Sequence, residues 1–163
     1  MARTDSFFIR ATVPTDGTDF SQTAIDLGSY VDALGKSVLR IHNISVQYGS
    51  PLESYAGAVE SNTGVYFQLT TQQQTEAVDI SNRSVIASGS LAIATGAAVV
   101  EMMDSSLDVG PQHWTDGYLV AVEQLYLGCR QTYTHLNRVS IVLECTVETM
   151  TQAAAMALAL SQQ

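Results

Sequence analysis

Along residues 138–148 the odd positions are Val139, Ile141, Leu143, Cys145 and Val147, all apolar, and the even positions between them are mostly polar. A period of two marks a β-strand that buries one face and wets the other. A helix would bring its apolar residues round every three or four positions instead. One such strand is not stable alone, so the rest of the chain has to supply strands to pair with it and a second layer to bury it against.

Further strands are legible. Residues 7–13 read as a first strand, stopped by Pro14 and the Asp16-Gly17 turn. Residues 37–48 form a long one whose apolar parity changes around His42-Asn43, the mark of a bulge or of a passage between two buried environments. Residues 64–70, 84–88, 91–94 and 98–103 read as shorter strands, with Gly89 and Gly96 in turns, while 52–63 and 104–116 read as loops. Residues 118–127 are apolar on both faces and are expected at the centre of a sheet.

Two helical segments frame these strands. Leu27, Tyr30, Val31 and Leu34 have helical spacing, with Gly35 as the stop. After the last strand, Thr149 and Gln152 have capping-box spacing, and a helix rich in alanine is expected over 151–160. The pattern of about eight alternating strands with few helices predicts an all-β chain, an antiparallel eight-stranded sandwich or jelly roll with short N-terminal and C-terminal helical segments. At 163 residues it fits a single domain, residues 1–163, with 151–163 as a C-terminal helix and tail.

Only 14% of the residues are charged, against a usual ~25%. Thr, Ser, Gln and Asn therefore supply the polar surface, and they cost less to desolvate than charges. The net charge is −9. Lys36 is the only lysine, and Arg3, Arg10, Arg40, Arg83, Arg130 and Arg138 are scattered, so the clustered positive footprint of a nucleic-acid binder is missing. Residues 1–5 lead into no apolar signal region, and no apolar run reaches the ~18 residues needed to span a bilayer. Cys129 and Cys145 are expected as free thiols of a protein made inside a cell; whether they meet depends on a strand register the sequence leaves open.

Catalytic patterns are sparse. His42, His113 and His135 lie too far from one another and from either cysteine for a local zinc site. There is no Gly-x-Ser-x-Gly elbow and no phosphate-cradling glycine loop. Glu123 and Glu144 are a candidate acid pair if their strands are adjacent, and Asp104, Asp108 and Asp116 lack the spacing of a calcium loop. No catalytic residue, metal ligand or cofactor is assigned. The candidate recognition residues are Trp114, beside His113 in a long loop, and Tyr55. The terminal helix, with Met156, Leu158 and Leu160 among alanines, is a candidate assembly element.

The run Ile25-Asp26-Leu27-Gly28-Ser29-Tyr30-Val31, followed by Val38-Leu39-Arg40-Ile41-His42-Asn43-Ile44-Ser45-Val46-Gln47, resembles a segment of small capsid proteins of environmental DNA viruses. Asp116-Gly117-Tyr118-Leu119-Val120-Ala121-Val122 is similar to a late strand of the same proteins. The resemblance implies a single jelly roll that assembles with copies of itself and other capsid proteins into an icosahedral shell. It also implies a place in the virion after synthesis in the host cytoplasm. The basic N-terminal arm of genome-touching relatives has no counterpart, since residues 1–6 hold only Arg3. That departure fits the lineage in which an internal membrane separates shell from genome, so direct nucleic-acid binding is not expected. The alternative is a carbohydrate- or receptor-binding β-sandwich module of a fibre or decoration protein, using Trp114 and Tyr55. A third reading is a hydrolase using Glu123 and Glu144.

Overall fold

The computed structural model describes residues 2–32, 34, 36–51, 62–96, 99–134 and 136–163. Its strands are β1 (Phe7–Pro14), β2 (Ser21–Asp26), β3 (Ser37–Tyr48), β4 (Asn62–Thr70), β5 (Val85–Gly96), β6 (Val99–Val109), β7 (Tyr118–Val120), β8 (Gln124–Gln131) and β9 (Arg138–Thr149). A 3-10 turn (Pro111–His113) precedes β7, and the helix α1 (Gln152–Ser161) follows β9.

One sheet has the order β1-β9-β3-β7 and the other β2-β8-β4-β5-β6. All pairings are antiparallel. With β6 set aside as an extra edge strand, eight strands divide four and four between the sheets. Successive strands then cross from one sheet to the other, except where β4 and β5 form a hairpin. Two interlocked Greek keys of this kind define a jelly roll.

The alternation in β9 sets the core of the first sheet. Val139, Ile141, Leu143 and Cys145 face Val13, Ala11, Ile9 and Phe7 of β1 on one side, and Tyr48, Val46, Ile44 and Ile41 of β3 on the other. The opposing sheet contributes Leu125, Leu127 and Cys129 of β8 and Val65, Phe67 and Leu69 of β4, all fully buried. The expected parity change in β3 is a register shift between Ile41 and Asn43. β7 pairs with β3 only from Leu39 to Ile41, so the backbone groups of β3 beyond it need other partners, and Gln112 meets those of Ile44. Its Oε1 accepts from the Ile44 N–H at 3.2 Å and its Nε2 donates to the Ile44 carbonyl at 3.1 Å. Gly117, at φ 68°, follows close by, where a Cβ would collide with the Ile41 carbonyl.

Several expectations are corrected. The N-terminal helix is a turn: the N–H groups of Tyr30 and Val31 both donate to the Leu27 carbonyl, and the Asp26 carboxylate accepts from the Gly28 N–H. Leu27 and Val31 are buried, so the spacing that reads as a helical face is one turn of chain pressed into the core. The expected stop, Gly35, lies outside the described residues. Residues 118–127 are not one central strand. They make β7 in one sheet and β8 in the other, and the doubly apolar pattern arises where the chain crosses between them. Residues 85–96 are one strand, because Gly89 is no turn: a Cβ there would lie 2.8 Å from a Phe67 ring carbon and closer still to the Ser106 carbonyl. The first six residues of the expected loop at 104–116 belong to β6. The cap of α1 is Thr151, whose hydroxyl accepts from the Ala154 N–H at 3.3 Å, rather than Thr149 with Gln152.

Candidate interaction surfaces

The register of β3 on β9 sets Arg40 opposite Thr146 on the outer face of the first sheet, two positions along from Val38 and Glu148. Arg40 grips Glu148 with two bonds, Nε to Oε1 at 2.5 Å and Nη2 to Oε2 at 2.9 Å, and its Nη1 donates to the Asp116 carbonyl. Arg3 adds a bond from Nε to the same Oε1 at 2.7 Å. Glu148 is 2% exposed and Arg40 8%. The hydrogen bonds from Arg40 hold the Glu148 carboxyl below the usual carboxylate range, and the same contact raises Arg40. Around this anchor residues 2–4 lie along β9, with the Thr4 N–H donating to the Val147 carbonyl and the Val147 N–H to the Thr4 hydroxyl. The carboxylate is fully engaged, so it fastens chain segments and offers no acid or base to a substrate.

α1 docks on the same end of the domain. Ala155 and Ala159, four residues apart on one helical face, pack with Val38 and Ala121 in a second small core, against which Leu119, Met150 and Leu158 also lie. The Gln162 side chain accepts from the Ala121 N–H at 2.9 Å and donates to the Leu119 carbonyl at 2.7 Å. Its own carbonyl accepts from Thr71 at 3.0 Å. The helix thus closes its own domain with its alanine face. Met156 and Leu160 point outward, 43% and 68% exposed, whereas Leu158 turns partly inward.

Trp114 is 53% exposed and ends the 3-10 turn, with its N–H donating to the Pro111 carbonyl. His113 beside it is exposed as well. Tyr55 and His135 lie outside the described residues, so no geometry joins Tyr55 to Trp114. Glu123 is exposed at the end of the link between β7 and β8, while Glu144 sits on β9 in the other sheet and accepts from Asn43 at 2.6 Å. They do not form the pair the hydrolase reading requires. Asp104 and Asp108 are on β6 and Asp116 precedes β7; among the described residues no group of three or more His, Cys, Asp or Glu can hold a metal ion.

β8 and β9 belong to opposite sheets, and Cys129 and Cys145 are buried and free. Burial pushes the Cys129 thiol up to about 11 and the Cys145 thiol to about 12. Both should resist a thiol reagent at pH 8 in the native protein and react once denaturant is added; fast native labelling of either would contradict their placement. The surface grooves are open. One of about 580 Å³ lies by Lys36 and Gln152, one of about 530 Å³ by Asp26 and Glu123, and one of about 540 Å³ by Tyr66 and Asp108. No histidine or cysteine lines any of them. Among the described residues no helix is long and apolar enough to cross a membrane.

The ion cluster and the Gln162 anchor escape sequence reading because their partners are distant, 108 residues apart for Arg40 and Glu148. The one local signal is an arginine inside the apolar run Val38-Leu39-Arg40-Ile41, which implies a buried partner without naming it.

No protein-family model matches the chain, and no curated protein does. Among solved structures it is similar to the VP1 pentamer of Washington University polyomavirus, at 11% identity over 88% of this chain and 93% of that one, with a TM-score of 0.44. The VP1 pentamer of human polyomavirus 6 is similar at 8% identity over 89% and 95%, TM-score 0.47. A virus-like particle of the extra small virus of the prawn Macrobrachium rosenbergii is similar at 9% over 91% and 82%, TM-score 0.33. No residue role is carried over from them; the strand order of this chain itself makes it a jelly roll.

Proposed function

We propose that this chain is a non-enzymatic shell subunit, a viral capsid protein that assembles with copies of itself. One observation carries the reading: the middle of the outer face of the β1-β9-β3 sheet, between Arg138 at one end and Arg40 with Glu148 at the other, presents mostly uncharged side chains. Its outward residues include Phe8, Thr12, Ser45, Gln47, Ser140 and Val142, with Arg10 and Glu144 as the only charges among Phe8–Thr12, Asn43–Gln47 and Ser140–Glu144. Phe8 is 55% exposed. Such a face costs little to desolvate against another protein, and interface cores are depleted in charge. The resemblance to capsid proteins supports the same reading. Its two stretches, distant in the chain, are β3 with its approach and β7, which pair through Leu39 with Val120 and Ile41 with Tyr118.

Direct genome contact is not part of the proposal. Arg3 and Arg40 are engaged by Glu148, Arg10 lies over the Phe8 ring, and Arg83 and Arg130 donate to the Gln163 and Thr18 carbonyls. An internal membrane under the shell and a virion location are what the resemblance adds.

With −9 per subunit, copies repel at low ionic strength and screening relieves it, so association should strengthen as salt rises. Light scattering across a salt series tests this; a protein that stays monomeric at every salt concentration contradicts it. The exposed Trp114 supports a second reading, a glycan-binding module. Glycan binding by a monomer, lost in Trp114→Ala, is the outcome that favours it.

A further inference from the structure

We propose that β6 is the strand through which two copies of this chain join, edge to edge and antiparallel about a two-fold axis, merging their five-stranded sheets into one. The proposal rests on the reading as a self-assembling subunit and names the surface responsible. Two sheets have four edges, here β1, β7, β2 and β6. β7 is three residues long, and the side-chain amide of Gln162 already occupies its free side as a strand would. β1 and β2 follow one another in the chain and lie together, closing that side of the sandwich. β6 is the edge left over. It runs 11 residues without a lysine or a proline, and among the described residues it pairs with β5 alone.

Burial shows that β6 overhangs the sandwich. Met102 and Met103 are neighbours and so point to opposite faces of the sheet, yet they are 56% and 52% exposed. Every residue from 102 to 106 is exposed. A strand held on one side only, with a row of open N–H and C=O groups on the other, is a template for another strand. Natural edges that must stay single are blocked by lysine or other charges, proline, bulges, a cover or brevity. β6 has no lysine or proline, is 11 residues long and has no cover among the described residues, and only its acidic residues and its register shifts against β5 work against pairing. The strand that docks there needs a free edge of its own. In a second copy the free edge is again β6, and identical edges that pair isologously do so across a two-fold axis, which makes them antiparallel.

Charge selects the register. An axis at Asp104 would set two carboxylates face to face, which is destabilising. An axis at Ser106 would set Asp104 opposite Asp108, whereas an axis at Ser105 sets Ser105 opposite its own copy, Asp104 opposite Ser106 and Asp108 opposite Met102, so no carboxylate faces another.

Cysteine and proline variants of the full chain test this, with thermal denaturation as the check on folding. Ser105→Cys under mild oxidation should give a crosslinked dimer in high yield, while Thr75→Cys, exposed between β4 and β5, should give none. N–H groups alternate in direction along a strand, so one of Ser105→Pro and Ser106→Pro removes a donor from the free side. That variant should keep its fold and associate about tenfold or more weakly, as expected for losing one or two intermolecular hydrogen bonds. If the parent associates but no β6 crosslink forms, the joint lies elsewhere and the subunit reading survives. Association unchanged in both folded proline variants has the same meaning. A parent that never associates overturns both.

Discussion

Replacing Glu148 by alanine is expected to destabilise the fold by about 3–5 kcal/mol, because it strands a buried arginine. Arg40 would keep only the Asp116 carbonyl, in a site where its side chain is 10% exposed. The Arg3 contact adds little to this figure: its side chain is 50% exposed, and solvent-screened pairs contribute at most ~1 kcal/mol. Arg3→Ala should therefore be nearly silent where Glu148→Ala is severe. Replacing both buried partners, as Arg40→Met with Glu148→Leu, should recover much of the loss, since an apolar pair removes the desolvation cost along with the attraction. The pH dependence has a definite sign. Glu148 is held below its ordinary value in the folded chain, so its contribution is fully present above the unfolded-state carboxylate value of ~4.3 and fades as pH falls through the lower folded value. Acid denaturation followed by circular dichroism should be less steep in Glu148→Gln than in the parent. Equal steepness would mean that the cluster does not hold the fold.

Removing residues 151–163 is the second large perturbation. It uncovers Val38, 0% exposed, and Ala121, 2% exposed, and takes away the groups that bond Leu119 and Ala121. Burial of roughly 150–250 Å² of apolar surface at ~25 cal/mol per Å² gives about 4–6 kcal/mol. The ordering entropy released with the helix cancels part of this. A net loss of about 2–4 kcal/mol remains, a fall in melting temperature of roughly 10 °C for a chain of this size. The bare composition of the segment suggests an assembly element more than a core element, and the docked alanine face alters that expectation. Ala159→Asp, which places a charge against Val38, should reproduce the loss while Leu160→Asp on the outward face should not. Thermal melts of the three variants settle it: a truncated domain as stable as the parent would mean that the helix does not close the core.

What could be read from the chain follows from where the information lies. β9, β3, β1 and β4 are visible because a half-buried strand writes its faces into alternate residues, and the bulge in β3 is visible because a bulge shifts that alternation. β2 is not: Ser21-Gln22-Thr23-Ala24-Ile25-Asp26 is an edge strand with only one well-buried residue, Ile25. The crossing from β7 to β8 looks like one strand because both halves are apolar and no turn residue interrupts them. In β5 the glycine and serines that suggest turns are the small residues a crowded strand needs beside Phe67. Of the functional candidates, Trp114, Met156 and Leu160 are exposed and Leu158 is half-buried. The fastening of residues 2–4 and the Gln162 anchor depend on contacts across most of the chain, which no local pattern records.

Electron microscopy of the purified full-length protein, taken from low to high salt, tests the central claim most directly. The account expects dispersed subunits or small oligomers at low ionic strength and closed, isometric particles of uniform diameter once the repulsion is screened. A field of monomers at every salt concentration, in a protein that circular dichroism shows to be folded, would contradict it.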